Sequence, residues 1–458
     1  MFRHSMYKSQ LRFPTKEFEK AVPEPEVWRP IHYLGSKLRL VGALRVAIDR
    51  VDPSGGTICD LFSGSGTVSA ALATCRDVVA VDIQEYSRVL CSAVLMPPVI
   101  SDAEARTFVE LAGGAEHAKR LSAASPLIEY ETLCMGKARQ GNLEPLCELI
   151  EHASMVAFLR RGQPPVSAAL QRAHMRTHRA LTGKNVVLRH FGGLYFSYKQ
   201  AVELDSLLTA AHAEQEGRRD CLLAAIISMA SDIANTVGKH FAQPIRPRSS
   251  DGKPKPHLIA KILRDRELDL GPTFWTWLGR YRSLKSTGRQ HQVIRADYAD
   301  ALASLNRKVA VVYADPPYTR DHYSRFYHVL ETMALWDDPA VSTTKIHSDG
   351  ETLSRGMYRA ERHQSPFCIK SQAPEAFKKL FAGVRDLHAP LILSYSPYAT
   401  DGTAHPRVMT IDQLSALAAK YFCRVEKVSA GRISHMKLNA TRLHIEASSE
   451  AELIFVCT

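Results

Sequence analysis

The chain has 458 residues, of which 45% are hydrophobic and 23% are charged, as is typical of a globular protein with two or three domains. No apolar run reaches the roughly 18–20 residues of a membrane span, and the basic N-terminus has no apolar signal region, so we expect a cytoplasmic protein without a membrane partner. The nine cysteines include no C-x-x-C pair, which disfavours a zinc site or a disulfide framework and predicts reduced thiols and no metal.

The net charge of +12 is unevenly distributed along the chain. Residues 239–295 contain thirteen Lys or Arg and four Asp or Glu, a net charge of +9, which is most of the excess. A basic surface of this kind suits a polyanion, most simply a nucleic acid, although a merely solvated face has the same composition.

In chain order, the sequence predicts a polar N-terminal arm at 1–29 and an α/β pattern from residue 30. IHYLGSKLRLVGALRVAIDRV, residues 31–51, predicts a short turn followed by an amphipathic helix. GGTICDLFSGSGTVSAALATC, residues 55–75, predicts a strand, a Gly-rich turn and a helix, and DVVAVDIQEYS, residues 77–87, predicts a second strand that ends in an acid. This βαβ order opens a doubly wound sheet.

Helical patterns dominate between residues 96 and 289, and strand patterns resume near 292, 309, 389, 423 and 451. The predicted helices span 102–123, 143–161, 166–181, 199–213 and 218–241. A Pro-rich basic stretch, QPIRPRSSDGKPKPH at 243–257, predicts a loop. We therefore predict one doubly wound α/β domain, formed by 30–95 and 290–458 and interrupted by a mainly α-helical insertion at 96–289.

The turn DLFSGSGTVS, residues 60–69, is typical of a nucleotide-binding loop. Its glycines allow close approach of a ligand to the backbone, and Asp82, at the end of the next strand, can accept the hydroxyls of a ribose. Asp60 would repel the pyrophosphate of NAD(P) but suits the cationic amino-acid group of S-adenosylmethionine (SAM). We therefore predict a SAM site. Its predicted contacts are Asp60, Phe62, Ser63, Gly64, Ser65, Gly66 and Asp82.

Three segments, IHYLGSKLRL, DLFSGSGTV and ADPPY, occur in this order with a large insert before the last. In these segments the chain resembles the Dam-like DNA adenine-N6 methyltransferases. The resemblance covers the α/β part and implies a class I SAM-methyltransferase Rossmann-like fold, SAM as cofactor and double-stranded DNA as partner. It also implies cofactor contacts at Tyr33, Gly35, Ser36 and Lys37, and at Asp297 in the segment IRADY.

The ADPPY turn, residues 314–318, suits chemistry on an exocyclic amine. The amine of a base is a poor nucleophile because its lone pair is delocalised into the ring. The Asp315 carboxylate and the Pro316 carbonyl, held by the rigid Pro316–Pro317 pair, can accept its two hydrogens and expose the lone pair. Tyr318 can stack on a base that has been flipped out of the duplex.

Sequence alone leaves the substrate partly open. Cytosine-N4 methylation of DNA, RNA adenine methylation and a non-catalytic nucleic-acid-binding homologue are the alternatives, although Asp315 favours adenine N6. We expect the insertion to recognise the target and bind DNA. The candidate DNA-binding residues are Arg246, Arg248, Lys253, Lys255, Arg280, Arg282 and Lys285. Neither the recognised sequence nor a partner restriction nuclease follows from these patterns.

Overall fold

A seven-stranded sheet forms the centre of the protein in the computed structural model, which describes residues 29–33, 37–160, 166–305, 308–319, 323–346, 350–396, 408–429 and 453–458. The strands in these residues are β1 (Ile58–Asp60), β2 (Val78–Asp82), β3 (Gln292–Arg295), β4 (Val311–Ala314), β5 (Thr343–Ile346), β6 (Gly350–Leu353), β7 (Leu391–Tyr395), β8 (Val425–Ser429) and β9 (Leu453–Cys457). The central sheet has the order β3-β2-β1-β4-β7-β9-β8, and β5 pairs with β6 in a separate antiparallel hairpin.

The first five strands of the sheet, from β3 to β7, are parallel, and β9 pairs antiparallel with both β7 and β8. This arrangement confirms the predicted doubly wound α/β sheet and is consistent with a class I methyltransferase fold. The chain order reverses between β1 and β4, so a crevice is expected beyond their carboxyl ends.

Helices cover both faces of the sheet and build a further layer. Within the described ranges they are α1 (Val41–Val51), α2 (Thr67–Ala73), α3 (Glu85–Leu95), α4 (Asp102–Ala112), α5 (Ala115–Arg139), α6 (Glu144–Glu151), α7 (Met155–Leu159), α8 (Ala168–Ala180), α9 (Val186–Phe191), α10 (Tyr198–His212), α11 (Glu216–Ile233), α12 (Pro256–Arg266), α13 (Leu270–Ser283), α14 (Tyr298–Ser304), α15 (Tyr323–Phe326), α16 (His328–Leu335), α17 (Ala373–Asp386) and α18 (Ile411–Ala418). Short 3₁₀ helices lie at Leu38–Leu40 and Pro366–Cys368.

Two apolar cores sandwich the sheet. Leu44 and Ile48 of α1 pack with Leu72 of α2 on one face, and the α14, α17 and α18 side chains pack on the other. Burial of every residue of β1, β4 and β7 explains why these strands read as apolar runs without alternation.

The helical layer, α4 to α13, is joined to the sheet by a third core. Its side chains pack around α3 and α16, with Val89 and Leu90 of α3 and Met333 of α16 completely buried among them. The helices therefore lie against the same α3 that follows Asp82, which connects them to the carboxyl edge of β2.

The predicted helices agree with the structure in part. The predictions at 166–181 and 199–213 are confirmed by α8 and α10. The prediction of one helix at 102–123 is wrong, because α4 ends at Ala112 and α5 begins at Ala115. Gly113 and Gly114 separate the two helices. The predictions at 143–161 and 218–241 are also wrong in extent, since the first is divided into α6 and α7 and the second ends at Ile233. The predicted loop at 243–257 is confirmed up to Lys255, after which α12 begins.

The sequence also led to predictions about the cysteines, membrane-spanning helices and the N-terminal arm. Seven of the nine cysteines are buried, and Cys75 and Cys423 are exposed. No helix within the described ranges is long and apolar enough to cross a membrane. The predicted arm at 1–29 lies outside the described residues apart from Arg29.

Candidate active site

A cavity lies beyond the carboxyl ends of β1, β2 and β4, at the position where the strand order reverses. The structure brings most of the sequence-predicted site residues together there. Those that line it are Tyr33, Lys37, Asp60, Phe62, Ser63, Gly64, Ser65, Asp82, Asp297, Asp315, Pro316, Pro317 and Tyr318. The segments that carry them are adjacent because β1 pairs in parallel with both β2 and β4.

The Gly-rich turn is held by Asp82. The Gly64 and Gln84 N–H groups each donate to one carboxylate oxygen of Asp82, at 2.9 Å. Gly64 has a φ of +53°, and a Cβ there would lie 2.8 Å from the Tyr33 hydroxyl oxygen. Only glycine therefore allows this turn to approach the tyrosine, and the turn leaves its backbone accessible from the cavity.

Asp60 is a buried carboxyl group with one unsatisfied oxygen. Its side chain is 1% exposed, and the Ser69 hydroxyl donates to Oδ2 at 2.7 Å, whereas Oδ1 accepts no hydrogen bond from the described residues. Burial, followed by the nearby charges of Asp315 and Asp82, raises the pKa of Asp60 to about 7. Because an unsatisfied buried acceptor is costly, a cationic ligand in the cavity would stabilise it.

The ADPPY turn contributes the opposite wall. Lys37 Nζ lies 3.1 Å from Asp315 Oδ1 and 3.4 Å from the Tyr318 hydroxyl, and its side chain is almost fully buried. The resemblance implied that Lys37 contacts the cofactor, but its ammonium group lies on the Asp315 side of the cavity. A carboxylate can accept about four hydrogen bonds, so the Lys37 ion pair leaves Asp315 with acceptor capacity.

Tyr318 is fixed by a neighbouring aromatic ring. It is 9% exposed, and its ring centre lies 4.9 Å from that of Tyr395, the last residue of β7. The Tyr395 hydroxyl in turn donates to the Met409 carbonyl at 2.8 Å. Tyr318 thereby packs against the end of β7 and also lines the cavity.

Sequence reasoning missed several aromatic and polar walls of the cavity. They are Gln84, Tyr86, Tyr298, His363 and Ser365. Tyr86 and Tyr298 belong to the quoted segments DVVAVDIQEYS and IRADY, four residues after Asp82 and one residue after Asp297, so their positions were a usable signal. His363 belongs to an irregular segment with no pattern, and its placement depends on tertiary contacts.

Four predicted cofactor residues either have a structural role or lie outside the described residues. Gly66 has a φ of +76° and does not line the cavity; its missing Cβ would face Cys91 and Val94 of α3 at 3.3 Å, so it allows α2 to pack on α3. The Asp297 carboxylate lines the cavity and also caps α14 by accepting from the Ala299 N–H at 2.9 Å. Gly35 and Ser36 lie outside the described residues.

The predicted DNA-binding residues fall into two groups. Arg248 pairs with Glu144 and Glu151 at 2.7 and 3.1 Å, and Arg282 pairs with Asp102. The remaining five are Arg246, Lys253, Lys255, Arg280 and Lys285, of which all but Lys255 are exposed. Part of the predicted basic surface is therefore neutralised by carboxylates of the same chain.

The residues of the cavity fit SAM. The unsatisfied Asp60 Oδ1 suits a cationic amino-acid group, and the Gly64 turn leaves room beside Tyr33. Phe62 and Tyr298, with ring centres 5.7 Å apart, form an apolar wall of the cavity, and the buried ring of Phe367 packs against both of them. A search of the described ranges finds no group of three or more His, Cys, Asp or Glu side chains that could hold a metal ion.

Comparison with known proteins relates two segments of the chain to a methyltransferase family. Residues 33–116 and 278–383 match the family model of the D12 class N6 adenine-specific DNA methyltransferases. Both matched segments contain strands of the central sheet and residues of the cavity, including Asp60, Asp82 and Asp315. The resemblance inferred from the sequence is thereby confirmed.

Two curated proteins are similar to the chain over most of its length. Modification methylase LlaI of Lactococcus lactis subsp. lactis is 21% identical over 85% of the chain, and type II methyltransferase M.NlaIII of Neisseria lactamica is 24% identical over 80% of it. The chain spans about half the length of the Lactococcus protein, 49%, and 83% of the Neisseria protein. No solved structure gives a significant match. The family model and the names of both relatives thus describe methyltransferases, to which this chain is similar.

Proposed function

We propose that this chain, whose cavity-forming segments match the D12 class N6 adenine-specific DNA methyltransferases, transfers a methyl group from SAM to the N6 amine of an adenine extruded from duplex DNA. The observation that carries the proposal is the single cavity that Asp60 and Asp315 line from the ends of the neighbouring strands β1 and β4. One carboxyl group suits the cationic cofactor, and the other suits the amine that attacks it.

Asp60 and Asp82 orient the cofactor in this proposal. Asp60, ionised, accepts from the ammonium group of the methionine part, and Asp82 accepts from the ribose hydroxyls while it holds the Gly64 turn. SAM supplies an electrophilic methyl group bound to a sulfonium centre. The protein contributes by holding this methyl group in line with the incoming amine, which removes most of the entropic cost of the encounter.

Asp315 and Pro316 prepare the amine. The Asp315 carboxylate accepts a hydrogen bond from one N–H of the amine, and the Pro316 carbonyl accepts a hydrogen bond from the other. The nitrogen lone pair is thereby directed toward the methyl group. Lys37 stabilises the ionised Asp315 among the acids of the cavity, and Tyr318 packs against the flipped base. Lys37 is thus a positioning residue that acts through Asp315.

The division of labour along the chain is also part of the proposal. Residues 30–95 and 290–458 carry out the methyl transfer, and the helical layer within 96–289 recognises the target and contacts DNA. Four exposed basic residues support this assignment: Arg246, Arg280 and Lys285, which form no ion pair within the described residues, and Lys253, which pairs with Asp251 at 3.6 Å. The location of the helical layer beside α3 supports the assignment further, since α3 begins at the cavity edge.

Transfer of a labelled methyl group from SAM tests the proposal. The wild-type protein is incubated with duplex DNA, single-stranded DNA or structured RNA, in separate and in competing reactions. We expect label in adenine of duplex DNA, and we expect Asp315→Ala to lose it by about 10³-fold or more with unchanged SAM affinity. Label found in cytosine, or transfer to RNA in preference to DNA, would overturn the substrate assignment.

A further inference from the structure

Two arginines lie against one tyrosine ring next to the cavity. The guanidinium carbons of Arg325 and Arg362 are 5.0 and 5.5 Å from the ring centre of Tyr358. Neither arginine forms an ion pair with any residue that the structure describes. The nearby Asp337 carboxylate is already occupied, since Arg359 binds both of its oxygens at 2.6 Å.

The position of the pair ties it to the cavity. Arg325 follows the cavity residue Tyr323 by two positions in α15, and Arg362 immediately precedes the cavity residue His363. Arg362, but not Arg325, also lines a second concavity that adjoins the first. The residues shared by the two concavities are Ile83, Gln84, Ser324 and His363.

No carboxylate of the described residues neutralises the pair, although Arg362 Nη1 donates to the Ser342 hydroxyl at 3.2 Å and to the Arg359 carbonyl at 2.9 Å. Burial, followed by the charge of Arg325, lowers the pKa of Arg362 below its ordinary value. The buried acid of the second concavity, Glu331, is already bound by the N–H groups of Glu85 and Tyr86, each at 3.0 Å. The other acid there, Glu361, is exposed and forms no ion pair within the described residues.

An anion between the two guanidinium groups would relieve this repulsion. Each guanidinium presents a planar set of donors that matches the oxygens of a phosphate, and stacking on Tyr358 limits its motion, so little entropy is lost on binding. The phosphates that flank an extruded nucleotide must remain at the mouth of the pocket that receives its base, and phosphate contacts fix the register of the strand.

We propose that Arg325 and Arg362 together bind a backbone phosphate of the DNA strand beside the extruded adenine. This inference rests on the proposed function, because it requires DNA at the mouth of the cavity. It adds a phosphate site in the α/β part of the chain, outside the basic region 239–295 that the sequence indicated. The site would hold the target strand close to Asp315 while the helical layer contacts the duplex elsewhere.

The chain offers a matched control for this pair. Arg385 also lies over a tyrosine ring, with its guanidinium carbon 5.6 Å from the ring centre of Tyr421. Unlike the pair, Arg385 has a carboxylate partner, Asp386 at 2.8 Å. It also precedes β7, so it lies at the sheet edge opposite the cavity. Removal of its charge should leave DNA binding unchanged.

The test compares Arg325→Gln, Arg362→Gln, their double variant and Arg385→Gln. Binding to a fluorescent mixed-sequence duplex is measured at several salt concentrations from about 50 to 200 mM. We expect the double variant to bind about tenfold more weakly and its log–log salt slope to be smaller by about 0.9, the value for one phosphate contact. Arg325→Lys with Arg362→Lys should keep the slope, because the charges remain.

Two results would overturn the inference. One is a salt slope of the double variant equal to that of Arg385→Gln, and the other is a loss in the lysine variant as large as in the glutamine variant, which would indicate packing on Tyr358 alone. Unchanged thermal unfolding and SAM affinity exclude a folding defect. Inorganic phosphate should displace the duplex no better than chloride at equal ionic strength; preferential displacement would instead indicate a free-phosphate site.

The failure of this inference is distinguishable from that of the proposed function. Wild-type protein that binds duplex DNA with the expected slope but transfers no methyl group would contradict the function and leave the phosphate site standing. Wild-type protein that methylates adenine, with the double variant unchanged in its salt slope, would contradict the phosphate site alone.

Discussion

The carboxyl edge of the sheet and the helical layer differ in whether a buried charge has a charged partner or backbone donors at both of its carboxylate oxygens, as Asp60 and Asp205 show. In the helical layer, Arg266 is fully buried but is paired with Glu131 and donates to the Gly193 carbonyl, and Asp205 accepts from the N–H groups of Val187 and Leu188 at 2.9 Å. At the sheet edge, Asp60 keeps an unsatisfied oxygen.

The difference separates structure from function within one chain. Charges that are matched inside the protein stabilise a unique packing, whereas charges left with spare capacity around a cavity await a ligand. The three acids of the cavity, Asp60, Asp82 and Asp315, would repel one another when ionised, and Lys37 is paired with Asp315. The same criterion singles out Arg325 and Arg362.

The largest expected effect lies in the helical layer. Arg266→Met leaves the buried Glu131 carboxylate without its cation, and we expect a loss of about 3–5 kcal/mol in the free energy of unfolding. Lys119→Met removes the exposed ion pair with Glu116 and should cost less than about 1 kcal/mol. Chemical denaturation of both variants measures the contrast, and equal losses would show that burial of the pair does not matter.

Asp60→Asn, unlike Arg266→Met, should increase the free energy of unfolding of the SAM-free protein, and it should weaken SAM binding. Since the pKa of Asp60 is about 7 in the folded protein and 3.8 in the unfolded chain, its ionisation destabilises the fold increasingly as the pH rises from about 4 to 7. At pH 8 the variant without SAM should be more stable, by at most about 4 kcal/mol.

SAM affinity supplies the second half of that prediction. Ionised Asp60 is required for the ammonium contact, so wild-type affinity should fall as the pH falls below about 7. Asp60→Asn should bind SAM roughly 100-fold more weakly and lose this acidic dependence. Calorimetric titration between about pH 6 and 8 measures both, and retention of the pH dependence in the variant would remove Asp60 from the cofactor site.

Substitution of Lys37 distinguishes a role in positioning Asp315 from a direct contact with the cofactor. If it positions Asp315, Lys37→Met should lower kcat by roughly 10–100-fold with SAM affinity unchanged, and Lys37→Arg should restore part of kcat. A weaker SAM affinity with kcat retained would instead support the cofactor contact that the family resemblance implied. Single-turnover kinetics and equilibrium SAM binding distinguish the two outcomes.

The smallest effects, on the affinity for duplex DNA, are expected from substitutions of the exposed basic residues. Lys253→Gln and Lys285→Gln should each weaken duplex binding by only a few-fold and lower the salt slope by about one contact at most. Arg248→Gln removes a side chain already paired with Glu144 and Glu151, so its main effect should be on stability rather than on the slope. A larger slope change for Arg248 than for Lys253 would contradict this division.

The sequence predicted the elements of the site better than their contacts. The strand ends at Asp60, Asp82 and Asp315 are recognisable because buried parallel strands are continuous apolar runs, and parallel pairing alone brings their ends to one edge. The Lys37 contact with Tyr318 joins residues 281 positions apart, so no local pattern encodes it.

Charge counting was misleading for a related reason. The excess of basic residues at 239–295 includes Arg266 and Arg248, whose carboxylate partners lie far away in the sequence, at Glu131, Glu144 and Glu151. Conversely, Arg325 and Arg362 belong to a segment with ordinary composition. Whether a cation is available to a ligand depends on tertiary neighbours, which composition does not report.

Single-molecule sequencing of DNA from cells that express the protein tests the central claim most directly, because it reports the modified base, its position and its context together. With the wild-type protein we predict N6-methyladenine at a defined short sequence, and with Asp315→Ala, at equal expression and SAM affinity, no modification. Absence of the mark with the wild-type protein, or its persistence with Asp315→Ala, would contradict the account.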